Sequence, residues 1–139
     1  GEGEDRERLM FAAHQYGLNN KVRFIGKRSS TEVRQAMASH QYYLQYSLQE
    51  GFCNAVLEAQ ASKMFCIVSN AEGLAENVLH GQTGLVVPKG NVKLFHEAIK
   101  GALALENGDK NSMILNASTR VLESFNMNQQ EKDFTEFYD

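Results

Sequence analysis

The segment from Leu48 to Lys63, LQEGFCNAVLEAQASK, sets two glutamates, Glu50 and Glu58, among mostly small and apolar residues. From Asn54 to Ala61 it reads as a helix, with Gly51 just before it. Glu50 stands at the helix mouth, and Glu58 lies about one turn inside. A carboxylate buried among core-type residues is costly unless hydrogen-bonded. A pair of ligand hydroxyls would satisfy both of its oxygens. The free N–H groups of the first helical turn, aided by the helix dipole, favour an anion such as phosphate. Gly51 lets a ligand approach the backbone closely. Glu50 would repel phosphate, so it should face a neutral hydroxyl. The acids are eight positions apart, roughly two turns plus 80° on a continuous helix, and need not share a face. Taken singly, Glu50 reads as a dipole partner and Glu58 as part of a solvated face. Their combination points to a ligand bearing both phosphate and hydroxyls, a nucleotide.

Such a site needs a strand in front of the helix, and the chain supplies alternating elements. Asp5 to Tyr16 reads as a helix with Leu9, Ala12, Ala13 and Tyr16 on one face, stopped by Gly17. Val22 to Gly26, VRFIG, reads as a short strand. Ser29 and Glu32 form a capping box that opens a helix through Val33, Ala36 and Met37. Tyr42 to Ser47 is an aromatic-rich strand. Phe65 to Ser69, FCIVS, has the nearly all-apolar character of a central parallel strand. Ala71 to Gly81 reads as a short helix, with His80 as a helix-end partner of the dipole. Gly84 to Pro88 is a fourth strand. Val92 to Leu105 carries Leu94, Phe95, Ala98, Ile99, Ala102 and Leu103 as an apolar stripe. Helices over Ser112–Ser124 and about Gln129–Tyr138 follow. Strands alternating with helices imply an α/β class: a Rossmann-like parallel sheet with helices on both faces. In such a sheet ligands bind beyond the carboxyl ends of the strands, which is where Tyr46 to Asn54 falls. GEG at the start resembles a turn between a strand and a helix, so at least one further strand is expected upstream.

Bulk properties narrow the function classes. At 139 residues the chain is about one domain and can bury a core without staples. A net charge of -3 gives no electrostatic reason to expect nucleic acid. No apolar run approaches the roughly 20 residues of a membrane span. Cys53 and Cys66 have apolar neighbours and no metal-ligand spacing, and read as buried, reduced thiols. His14, His40, His80 and His96 likewise show no metal-ligand pairing. No metal site and no cofactor is expected.

The motifs resemble a known family, the retaining GT-B glycosyltransferases of the group 1 glycosyl transferase family. EGFCNAVLEAQA is similar to that family's E-G-F-G followed by L-E-A-M-A, with Glu50 and Glu58 as the two signature acids. GEGEDRERL is similar to G-x-G-P-E-x-x-x-L, and VRFIGKRSSTEV to V-x-F-x-G-x-v-s-x-e-e-l. VSNAEGLAENVLHGQTGLVVPKGN is similar to the family's v-a-S-d-v-G-G-x-p-E segment and the G-x-L-V stretch after it. The motifs run in the family's order over nearly the whole chain. Departures are Cys53 for a glycine, His40-Gln41 for Ala-Asp, Tyr46 for a proline, and Ala71-Glu72-Gly73 for the more usual v-G-G.

The resemblance implies that residues 1–139 are the nucleotide-sugar-binding C-terminal domain of a GT-B enzyme, without its first strands. An acceptor-binding N-terminal domain would be its partner, and a nucleoside diphosphate sugar its ligand. Glu50 would lie by the transferred sugar as the catalytic residue, and Glu58 would bind the donor ribose. The backbone amides of Phe52, Cys53, Asn54 and Ala55 would hold the sugar and diphosphate, and Gly26 and Lys27 would lie beside the base. The family's basic pair belongs to an upstream segment, so this stretch alone is expected to lack transferase activity. The expected location is cytoplasmic, with peripheral contact to the inner face of a membrane left open for the full-length protein. The fold also serves sugar-nucleotide epimerases. An epimerase fragment, or a nucleotide-binding or interaction module without chemistry, is therefore the alternative.

Overall fold

A computed structural model describes residues 3–124. The expected last helix, about Gln129–Tyr138, lies outside the described residues. Two compact units divide the chain, one up to Gln35 and one from Ala36 onward.

The first unit contains helix α1 (Arg6–Gln15) and the start of α2 (Ser30–Ala38). Gly17 follows α1 at φ 67°, and its N–H donates to the His14 carbonyl (3.0 Å), while Leu18 N–H donates to the Ala13 carbonyl (2.8 Å). This is the Schellman closure that glycine at that position favours. Of the expected apolar face only Ala13 is buried; Leu9 and Tyr16 are exposed, since so short a unit has little apolar surface to cover a full stripe. The capping box of α2 forms in both directions. Ser29 N–H donates to Glu32 Oε2 (2.9 Å), and Glu32 N–H donates to Ser29 Oγ (3.3 Å). The bonds from Ser29, with Arg28 nearby, hold the Glu32 carboxyl below its ordinary range.

The expected strand Val22–Gly26 does not form. A strand exists only by pairing, and the described part of the first unit holds no strand to pair with. The described sheet therefore has three strands rather than four.

The second unit holds that sheet: β1 (Tyr42–Gln45), β2 (Phe65–Ser69) and β3 (Leu85–Val87), in the order β1-β2-β3 and parallel throughout. Tyr42 pairs with Phe65, and Ser69 with Val87. All five residues of β2 are buried, as its run of apolar residues demands of a central strand. Helices α3 (Asn54–Ala61), α4 (Glu72–Asn77), α5 (Val92–Ala104) and α6 (Asn107–Ser124) complete the unit. Phe65 and Ile67 face α5 and pack with Phe95, Ala98, Ile99 and Ala102. Cys66 and Val68 alternate to the opposite face, where α3 packs on β2. The two cysteines are buried and unbridged, and burial pushes the Cys66 thiol up to about 12. No helix among the described residues is long and apolar enough to cross a membrane.

Three expected elements shift. The α5 stripe narrows, because Leu94 and Leu103 lie 100° beyond Phe95 and Ala102 and turn to solvent. Helix α6 begins at Asn107, about one turn before Ser112. Helix α4 stops at Asn77, and Val78 is extended. His80 then leaves the helix altogether. It bridges to Gly84, and its Nδ1 accepts from Val86 N–H (2.9 Å), so it serves as a backbone acceptor and not as a dipole partner.

Candidate functional site

The site grows from the carboxyl end of β1. Residues two apart on a strand share a face, and the Tyr43 hydroxyl donates to Gln45 Oε1. Cys53 Sγ donates to the same oxygen (3.3 Å), tying the far end of the loop back to the strand. Ser69, at the end of β2, ties the near end. Its Oγ accepts from Ser47 N–H (2.8 Å) and donates to the Ser47 carbonyl (2.6 Å). The loop from Tyr46 to Cys53 is thus anchored at both ends, and its middle projects over the sheet edge. Phe52 and Gly51 are exposed there.

Ser69→Ala removes both bonds to Ser47 from a fully buried position. The expected loss is about 1–3 kcal/mol of stability, read from the urea midpoint at unchanged slope. Ser39→Ala, on an exposed hydroxyl, is the control and should stay within roughly 0.5 kcal/mol. An equal effect of the two would show that Ser69 is not an anchor.

Helix α3 starts without a side-chain cap. Cys53 occupies the N-cap position with extended backbone, φ -86° and ψ 95°, and makes no side-chain bond to the first turn. Serine, threonine or aspartate there would accept one of those N–H groups. No acidic side chain occupies the first turn either. The helix start therefore keeps its positive end open to an anion.

Glu50 is half-buried at this mouth. Glu58 is exposed, on the solvated face that its residue type alone suggests, and not among the buried core residues around it. Val56, Leu57, Ala59 and Gln60 supply the buried face of α3, and Glu58 falls on the outer side with Asn54, four residues earlier. The pattern around it hid this because the segment is apolar on nearly every side. Neither carboxylate makes a hydrogen bond or ion pair within the described residues. Both act on the same phenol. Tyr43 is raised well above the ordinary range, first by burial, then by the Cys53 and Cys66 sulfurs and by the Glu50 and Glu58 carboxylates. Its hydroxyl stays protonated and keeps donating to Gln45. The structure thus brings Glu50, Cys53, Asn54, Ala55 and Glu58 together around the start of α3.

Gly26 and Lys27 belong to the first unit, where Gly26 makes a turn at φ 68°. Among the described residues, no group of three His, Cys, Asp or Glu side chains is placed to hold a metal ion. Sequence reasoning missed Tyr43, Gln45 and Ser69. The signal was a polar residue closing each strand, Gln45 in YYLQ and Ser69 in FCIVS.

With this geometry in view, known proteins supply the context. Residues 1–120 match the family of glycosyl transferases group 1. The lipopolysaccharide core biosynthesis glycosyltransferase LpsE of Rhizobium meliloti is 30% identical over 104 residues, covering 75% of this chain and 30% of that protein. HepE of Anabaena, solved in complex with UDP-glucose, superposes with a TM-score of 0.89 at 22% identity, over 99% of this chain and 37% of that one. The C-terminal domain of the group 1 family protein LpcC from Francisella tularensis gives a TM-score of 0.78 at 21% identity, over 88% of this chain and 63% of that one. The chain spans about a third of the length of LpsE and HepE. Its α/β fold is that of the C-terminal domain of such enzymes. The match over residues 1–120 makes the chain a member of the group 1 glycosyl transferase family.

Proposed function

We propose that this chain is the donor-binding C-terminal domain of a retaining GT-B glycosyltransferase. The whole enzyme would move a hexose-type sugar from a nucleoside diphosphate to a hydroxyl acceptor seated on an N-terminal domain. The observation that carries this reading is the start of α3, without a side-chain cap and flanked by two carboxylates that make no hydrogen bond or ion pair among the described residues. A diphosphate suits the first-turn amides of α3, with the backbone N–H groups of Phe52 to Ala55 as donors. Glu58, one turn further and facing out, suits two vicinal ribose hydroxyls, one for each oxygen. Glu50, ahead of the helix, lies on the side where the sugar would project from the diphosphate. The leaving diphosphate gains charge as the glycosidic bond breaks, and amides preorganised at a helix start stabilise it without having to reorient. HepE, solved with UDP-glucose, supports a nucleotide-sugar ligand for this fold.

Saturation-transfer NMR on the folded 139-residue chain tests the reading, because it detects weak ligands. UDP-glucose, GDP-mannose and the free nucleoside diphosphates are the probes. At least one nucleotide should show saturation of its ribose protons, reversed by excess unlabelled diphosphate. A folded chain that transfers no saturation to any of them overturns the donor-domain reading.

A further inference from the structure

We infer that α4 sets the position of the Glu50–Cys53 loop, with Gly73 and Asn77 as positioning residues. That loop's importance rests on the donor-site reading above; the mechanical claim does not.

Gly73 meets the loop directly. A Cβ on it would lie 1.5 Å from the Gly51 carbonyl oxygen, 2.5 Å from its carbon and 3.1 Å from Phe52 Cα. All three are backbone atoms, which cannot rotate away as a side chain would. A Cβ on Gly51 itself would meet nothing within 4 Å, so the close contact at this point is made from the α4 side. The approach of α4 therefore bounds the position of Gly51 on that side.

Asn77 makes the second contact. It lies one turn beyond Gly73, on the same side of α4. Its Nδ2 donates to the Cys53 carbonyl (3.3 Å) from a fully buried position. Its own backbone carbonyl accepts from Gln60 Nε2 of α3 (3.2 Å) and from an Arg120 nitrogen of α6 (3.1 Å), and Arg120 also donates to the Glu76 carbonyl (3.2 Å). Helix α4 is thus held by α3 and α6 behind while it touches Gly51 and Cys53 in front. Asn77 Oδ1 is buried without a hydrogen-bond partner among the described residues. A buried, unsatisfied oxygen costs stability, so an apolar residue of the same size would serve packing better. What the amide adds is the bond to the loop.

Two substitutions test this. Asn77→Leu keeps the branched outline of the side chain with somewhat greater bulk, removes the orphan oxygen and deletes the loop bond, while the backbone bonds to Gln60 and Arg120 stay. Gly73→Ala raises helix propensity but forces Gly51 away by roughly 2 Å to reach ordinary contact. In the wild-type chain the amide order parameters of Gly51 to Cys53 should sit near the roughly 0.85 of rigid backbone. In Asn77→Leu they should fall toward about 0.6, with those of β2 unchanged and melting temperature equal or higher. In the full-length enzyme, Gly73→Ala should lower kcat on the order of 100-fold, the scale of a misplacement of about 1 Å. Rigid loop amides in Asn77→Leu, or full turnover in a folded Gly73→Ala enzyme, would overturn the inference. If Gly73→Ala does not fold, the order parameters of Asn77→Leu decide. Absence of nucleotide binding by the wild type sinks the donor-site reading alone, since the order parameters require no ligand.

Discussion

Glu50→Gln lowers turnover of the full-length enzyme on the order of 100-fold while the free nucleoside diphosphate binds about as before; this is the expected result if Glu50 serves the sugar. The substitution keeps the shape and removes the charge. Glu50 is half-buried ahead of α3, beside the amides proposed to hold the diphosphate. Positive charge grows at the anomeric carbon as the bond to the diphosphate breaks, and a fixed carboxylate there is worth more in the transition state than in the ground state. Removing an interaction made only in the transition state lowers kcat and kcat/KM equally. Steady-state kinetics with the nucleotide sugar, and calorimetry with the bare nucleotide, separate the two roles. If the bare nucleotide weakens as much as the nucleotide sugar, Glu50 does not act on the sugar. If turnover is unchanged, Glu50 is a charge at a helix end and nothing more.

Glu58→Ala is expected to weaken the donor at least about tenfold and to leave the fold intact. Two charge-assisted bonds to ribose hydroxyls are worth roughly 1.5–3 kcal/mol each at most, and about 1.4 kcal/mol already gives a factor of ten. The exposure of Glu58 sharpens this test. A glutamate on a solvated helical face without a protein partner contributes within about 0.5 kcal/mol of stability, and alanine is the best helix former. Its removal has no structural route to a loss of binding. Titration of the nucleoside diphosphate and a thermal melt on the same sample check both halves. Unchanged affinity with a lowered melting temperature would make Glu58 structural.

The site was legible to different depths at different residues. The helix start at Asn54 and the two acids stood out because Gly51 and the strand before it mark a turn into a helix. Which way Glu58 faces was legible only from its residue type, which favours a solvated face, and not from the pattern around it. NAVLEAQA is so uniformly small and apolar that no period in it separates an inner from an outer side, and only packing against β2 and α6 selects one. The strand Val22–Gly26 failed for a related reason: its residues suit a strand, yet pairing is a property of two segments. The helix Ala71–Gly81 was overextended because AENVLHG continues helix-like, while the actual stop at Asn77 is enforced by Gln60 and Arg120 from distant parts of the chain.

What the sequence alone determined is whatever depends on near neighbours. The capping box Ser29–Glu32, the glycine closure of α1, the buried run Phe65–Ser69 and the family's order of motifs all belong to this class. Their physics is local: hydrogen bonds span three or four residues, and an all-apolar strand must be covered on both faces. Tertiary structure alone decided the exposure of Glu58, the two-sided anchor of Ser69 on Ser47, and the contact of Gly73 with Gly51. Each of these joins segments about twenty residues apart or turns on which face a helix buries. Close approach of two backbones leaves no trace in either segment except the absence of a side chain, and a glycine read alone can equally mark a turn.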